Sequence, residues 1–154
     1  MKRSRRRPTI YLGERVPCEV GAVFGRHGFT VQVIADHPGL RGQDDGILLA
    51  RLHRVNGVLV TRDERLYTAV AQARPRLQHA GIVILPASYP SGQVGRLAHL
   101  LARCYRAATI SDPFGGRNRL LYPGEDGLRV LDTTADIGSR DDLLFPWSWW
   151  EDGQ

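Results

Sequence analysis

The sequence predicts an α/β fold: a mainly parallel central sheet with helices on both faces. Two observations carry that prediction. Short β-branched or apolar runs alternate with helical patterns four times between residues 9 and 107. Such alternation argues parallel strands joined by right-handed crossovers. One of the runs, GIVILP at 81–86, is continuously apolar, as a strand covered on both faces must be.

Element by element, Thr9-Ile10-Tyr11-Leu12 reads as the first strand. Pro17 suits the first turn of a helix, where its missing N–H costs nothing; Val20, Val23 and Phe24 supply helical spacing and Gly28 ends it. TVQVI, Thr30 to Ile34, is the second strand, and His37-Pro38-Gly39 is loop chemistry. Asp44 or Asp45 caps a second helix carrying Ile47, Leu48, Leu52 and Val55, which Asn56-Gly57 stops. VLVT, Val58 to Thr61, is the third strand. Glu64 to Ala73 forms a third helix with Leu66, Val70 and Ala73 on one face, and RPRLQHA is a loop. After the fourth strand, Ser91 caps a helix running to about Arg106. The pattern then changes. RLLY and LRVLD flank PGEDG, the signature of a β-hairpin, and LLFPWSWW places Trp147, Trp149 and Trp150 at the end. The organisation expected is a basic arm at 1–8, a domain at 9–107 and a hairpin with an aromatic extension at 108–154. The tryptophans are expected to dock on their own domain, because an isolated hairpin has little to pack against.

At 154 residues, with 42% hydrophobic and 24% charged residues, one domain with a modest appendage is expected. No apolar run has the length a membrane span needs, and the basic N-terminus is not followed by a secretory h-region. The expected compartment is the cytoplasm. Cys18 and Cys104 read as buried free thiols, and no Cys/His spacing of the zinc kind occurs. The formal charge of +5 equals the contribution of Lys2, Arg3, Arg5, Arg6 and Arg7 alone. The basicity therefore belongs to the arm, which either solubilises the chain or touches nucleic acid phosphates.

Acidic residues fall at or near the expected strand ends: Glu14 after strand one, Asp36 after strand two, Asp44 and Asp45 opening helix two, and Asp63 after strand three. In parallel α/β sheets this is the edge where ligands gather. Carboxylates converging there are what Mg²⁺ or Mn²⁺ takes, since hard cations prefer oxygen ligands. Taken singly, each carboxylate is a helix cap or a solvated loop residue, and Asp36 reads as a loop residue. The five histidines are scattered, and glycine-rich phosphate-binding motifs and a hydrolytic triad are absent.

The stretches IYLGERVP, GFTVQVI, LRGQDDGIL, GVLVTRDERL and HAGIVIL, within residues 10–86, resemble the PIN-like nuclease superfamily, in particular its compact prokaryotic branch. The resemblance implies a three-layer sandwich with a mainly parallel central sheet, here extended by a C-terminal β-hairpin. It also implies a metal-dependent nuclease, chiefly a ribonuclease, related to VapC-type toxins that pair with a small antitoxin. By the same resemblance, Glu14, Asp44 (or Asp45) and Asp63 are the catalytic carboxylates. Glu14, Asp44 and Asp63 would hold Mg²⁺ or Mn²⁺, and Thr61 would position them. Arg62, Arg65 and the arm residues Arg5, Arg6 and Arg7 would contact RNA. A homodimer and an antitoxin-like protein are the protein partners this implies, and no membrane is.

The match is partial. The branch's first strand ends Leu-Asp-Glu-Asn, whereas this one ends Leu12-Gly13-Glu14-Arg15. The acid expected two residues after Asp63 is Arg65, although a related PIN-like branch carries an Arg near this position, so this departure tells less than Gly13 does. The alternative is therefore a catalytically degenerate domain that binds RNA or a protein.

Overall fold

The computed structural model describes residues 8–71, 79–86, 91–106, 119–133 and 143–147. Arg5, Arg6 and Arg7, most of the RPRLQHA loop, Trp149, Trp150 and the side chain of Cys104 lie outside the described residues. The chain runs β1 (Thr9–Leu12), α1 (Cys18–Arg26), β2 (Val31–Val33), a 3₁₀ turn (Ile34–Asp36), α2 (Asp45–Arg54), β3 (Gly57–Thr61), α3 (Arg65–Ala71), β4 (Ile82–Ile84), α4 (Ser91–Arg106), β5 (Arg119–Pro123), β6 (Gly127–Asp132) and β7 (Leu143–Pro146).

All these strands join one sheet in the order β2-β1-β3-β4-β5-β6-β7. The pairs from β2 to β5 are parallel, and β5–β6 and β6–β7 are antiparallel. The expected hairpin forms, with Leu120 opposite Leu131. It is a continuation of the main sheet, because β5 pairs with β4 through Ile82–Leu120 and Val83–Leu121. Trp147 is buried and its Nε1 donates to the Gly124 carbonyl at 2.8 Å, so the start of the tail docks onto the hairpin turn.

Two apolar layers sandwich the sheet. On one face Val20 and Phe24 of α1 and Val94, Leu97 and Ala98 of α4 pack with Ile10, Leu12, Val58 and Val60. On the other, Leu48, Leu49 and Leu52 of α2 and Leu66 and Val70 of α3 pack with Leu59, Ile82 and Ile84. Strand side chains alternate between faces, so β3 sends Val58 and Val60 one way and Leu59 the other. This accounts for its uninterrupted apolar sequence.

Some boundaries differ from the sequence reading, for local reasons. β2 is shorter than TVQVI because Ile34 turns into the 3₁₀ turn and is buried. α1 begins at Cys18, with Pro17 immediately before it in extended geometry. Cys18 is exposed rather than buried, because it opens the helix on the side away from Val20 and Phe24. α4 includes Ser91 as its first residue. Asn56, at φ 54°, makes the left-handed step that ends α2, a conformation its short polar side chain tolerates. Gly57 then enters β3 beneath the Tyr11 ring; a Cβ there would stand 2.6 Å from Tyr11 Cε2. No helix among the described residues is long and apolar enough to cross a membrane.

Candidate functional site

The chain leaves β1 in one direction to form β2, then returns across β1 to place β3 on its other side. The strand order therefore reverses between β1 and β3, and their carboxyl ends frame the crevice where open α/β sheets bind ligands. A cleft of about 250 Å³ opens there. Gly13, Glu14 and Arg15 line it from β1, Asp45 from the start of α2, and Thr61, Arg62, Asp63 and Arg65 from the end of β3.

The geometry at the end of β3 is closely determined. Thr61 Oγ1 accepts from the Asp63 backbone N–H at 3.1 Å. Asp63 Oδ1 in turn accepts from the Arg65 backbone N–H at 3.1 Å, fixing the turn into α3. The Arg65 guanidinium then closes on the same carboxylate, Nε to Oδ1 at 3.1 Å and Nη2 to Oδ2 at 3.4 Å. Asp63 is thus both a capping residue and the partner of a two-point ion pair, which holds its carboxyl below the usual carboxylate range. Because the folded pKa is lowered, the pair's contribution to stability is present above the unfolded-state pKa. It is lost as pH falls through the lowered value.

Directly after β1, position 13 offers only backbone. Gly13 N–H donates to the Val60 carbonyl at 2.8 Å. A Cβ at position 13 would meet that carbonyl oxygen at 3.2 Å and Thr61 Oγ1 at 3.6 Å, so even the first atom of a side chain is tightly placed. Glu14 is exposed at the rim, with Oε1 accepting from the Gly42 backbone N–H at 3.3 Å. That bond ties Glu14 to the loop before α2.

Asp45 lines the cleft, whereas Asp44 stands exposed at the N-cap of α2 outside its lining and makes no side-chain capping bond. The Asp45 pKa is raised, first by burial, then by the negative charges of Asp63 and Asp44, with Arg65 opposing. Glu14, Asp45, Asp63 and Thr61 thus share one cleft with Arg62 and Arg65, and Asp44 is beside it.

The residues present do not fit the divalent metal that the family resemblance implies. Among the described residues, no three His, Cys, Asp or Glu side chains stand close enough to hold a metal ion. Both oxygens of Asp63 already face a guanidinium, and position 13 has no side chain. Arg15 and the Glu14–Gly42 contact are features of the cleft that sequence reasoning missed. Arg15 could have been suspected from its place after the strand end, whereas the contact spans a loop with no local sequence signal.

Comparisons of the chain with protein-family models, with curated proteins and with solved structures return no match.

Proposed function

We propose that the chain is a PIN-like domain whose crevice between β1 and β3 binds single-stranded RNA and has lost metal-dependent cleavage. The observation that carries this reading is the Arg65 guanidinium set on both oxygens of Asp63, where the family would place a cation. The guanidinium supplies positive charge that no chelator removes, and the pair uses only part of its five donors. Arg65 is 91% exposed, so the remaining N–H groups face solvent and a ligand. Arg15 and Arg62 line the same cleft. The arginines of the N-terminal arm add non-specific affinity for phosphates.

A second reading, the active Mg²⁺- or Mn²⁺-dependent ribonuclease, draws on one feature. Asp45 is crowded by Asp63 and Asp44, a repulsion that a divalent cation would relieve.

Fluorescence anisotropy with a labelled single-stranded RNA separates the two. The binding reading expects salt-sensitive binding without cleavage when Mn²⁺ is added. It also expects Arg62→Gln/Arg65→Gln to flatten the dependence of log K on log salt by about 1.4, at about 0.7 per lost phosphate contact. RNA cleavage that requires Mn²⁺ and disappears in Asp63→Asn would establish the second reading instead.

A further inference from the structure

A second cleft, of about 440 Å³, is walled by Glu64, Tyr67, Tyr122 and Arg129. Two of these residues belong to the C-terminal hairpin, outside the stretch on which the family resemblance rests. Arg129 of β6 is directly opposite Tyr122 of β5. The Tyr67 and Tyr122 rings meet edge to face, with centroids 6.3 Å apart and planes at 82°. The Tyr122 hydroxyl donates to Glu64 Oε1 at 2.5 Å. Burial, then that bond, pushes the Tyr122 pKa up to about 12, so the phenol keeps its proton and remains the donor.

Glu64 lies between Asp63 and Arg65 in the chain, and successive Cα atoms are about 3.8 Å apart. The two clefts are therefore neighbours across a single turn. One sets Arg15, Arg62 and the exposed outer N–H groups of Arg65 among the carboxylates of Glu14, Asp45 and Asp63. The other offers half-buried aromatic rings, a carboxylate with lone pairs to spare and an exposed guanidinium. Single-stranded RNA is read by this combination: bases stack on tyrosine, base edges are hydrogen-bonded, and arginine follows the backbone. A carboxylate accepts from the cytosine amino group and has nothing comparable to accept from uracil at that position.

Resting on the reading above, we infer that Glu64, Tyr67, Tyr122 and Arg129 form a nucleobase pocket for single-stranded RNA, adjoining the phosphate-binding crevice and favouring cytosine over uracil. The test is anisotropy with labelled oligocytidine and oligouridine on the full chain. Tyr122→Leu is expected to weaken oligocytidine binding about five- to 150-fold, the loss of one stacked base, while Tyr122→Phe retains it. Glu64 is exposed, so Glu64→Gln leaves the fold intact, and it should shrink the preference for cytidine. RNA binding that depends on Arg62 and Arg65 but is unchanged in Tyr122→Leu and Glu64→Gln would overturn the nucleobase pocket. It would assign the cleft to another kind of partner, such as a peptide, and leave the crevice reading standing. No RNA binding by the wild type would overturn both.

Discussion

Strands β1 and β3 lie side by side and parallel, with Leu12 in register with Val60, yet they end in opposite ways. β3 ends in Thr61, Arg62 and Asp63, each lining the crevice, and Asp63 is held by Thr61 behind it and Arg65 ahead of it. β1 ends in Gly13, which offers an N–H to the Val60 carbonyl and no side chain. Two strand tips at the same level of one sheet are equally well placed to supply a metal ligand. One gives a bare Gly13 followed by Glu14 at the rim, its Oε1 bonded to the Gly42 N–H, and the other gives a carboxylate already matched to a guanidinium. Position in the fold makes a site available, while the charge balance among its neighbours decides what the site does.

The largest effect is expected at the root of β3. Leu59 is buried beneath α2 and α3, on the face of β3 opposite Val58 and Val60. Leu59→Ala should cost about 2–5 kcal/mol, the range for a buried leucine whose cavity collapses only partly. Urea denaturation measures it, and a loss under 1 kcal/mol would mean that β3 is not a buried centre of the sheet. At the tip, Thr61→Val keeps shape but removes the acceptor of the Asp63 N–H. A loss of about 1 kcal/mol is expected, with Asp63 less firmly placed.

The smallest effect concerns Asp45. Its folded pKa is raised, so the proton-bound form is favoured in the folded state, and the associated stability disappears as pH rises through that value. Asp45→Asn should therefore match the wild type near pH 3 and become the more stable protein towards neutrality. For so exposed a group the gain should be below about 1 kcal/mol. Thermal unfolding across this pH range checks the sign, and a variant less stable than the wild type at pH 7 would refute it.

Much of the parallel half was legible in the sequence. Thr9–Leu12 and Val58–Thr61 declare themselves by β-branched residues, and the Asn56-Gly57 pair marks the turn between α2 and β3. PGEDG announces the hairpin, since turn chemistry is local. That the hairpin joins β4 was not legible, because Ile82–Leu120 pairing links residues far apart in the chain. The exposure of Cys18 was likewise a matter of helix facing that composition did not reveal. In the site, the acids at the strand ends could be read from the alternation of elements. The closing of Arg65 on Asp63 could not, because it depends on the tight turn that brings residues i and i+2 together before α3 starts. Tyr122 gained its neighbours Glu64 and Tyr67 only through the sheet order.

Whether Asp63 and its neighbours hold a divalent metal is decided by a Mn²⁺ titration by calorimetry of the wild type beside Gly13→Asp/Arg65→Gln. The paired Asp63 carboxylate, the absence of a side chain at position 13 and the engagement of Glu14 by the Gly42 N–H predict no saturable binding to the wild type. In the double variant, with a carboxylate added and the competing guanidinium removed, saturable binding should appear. Saturable binding to the wild type that is lost in Asp63→Asn would contradict the account and return the crevice to metal-dependent chemistry.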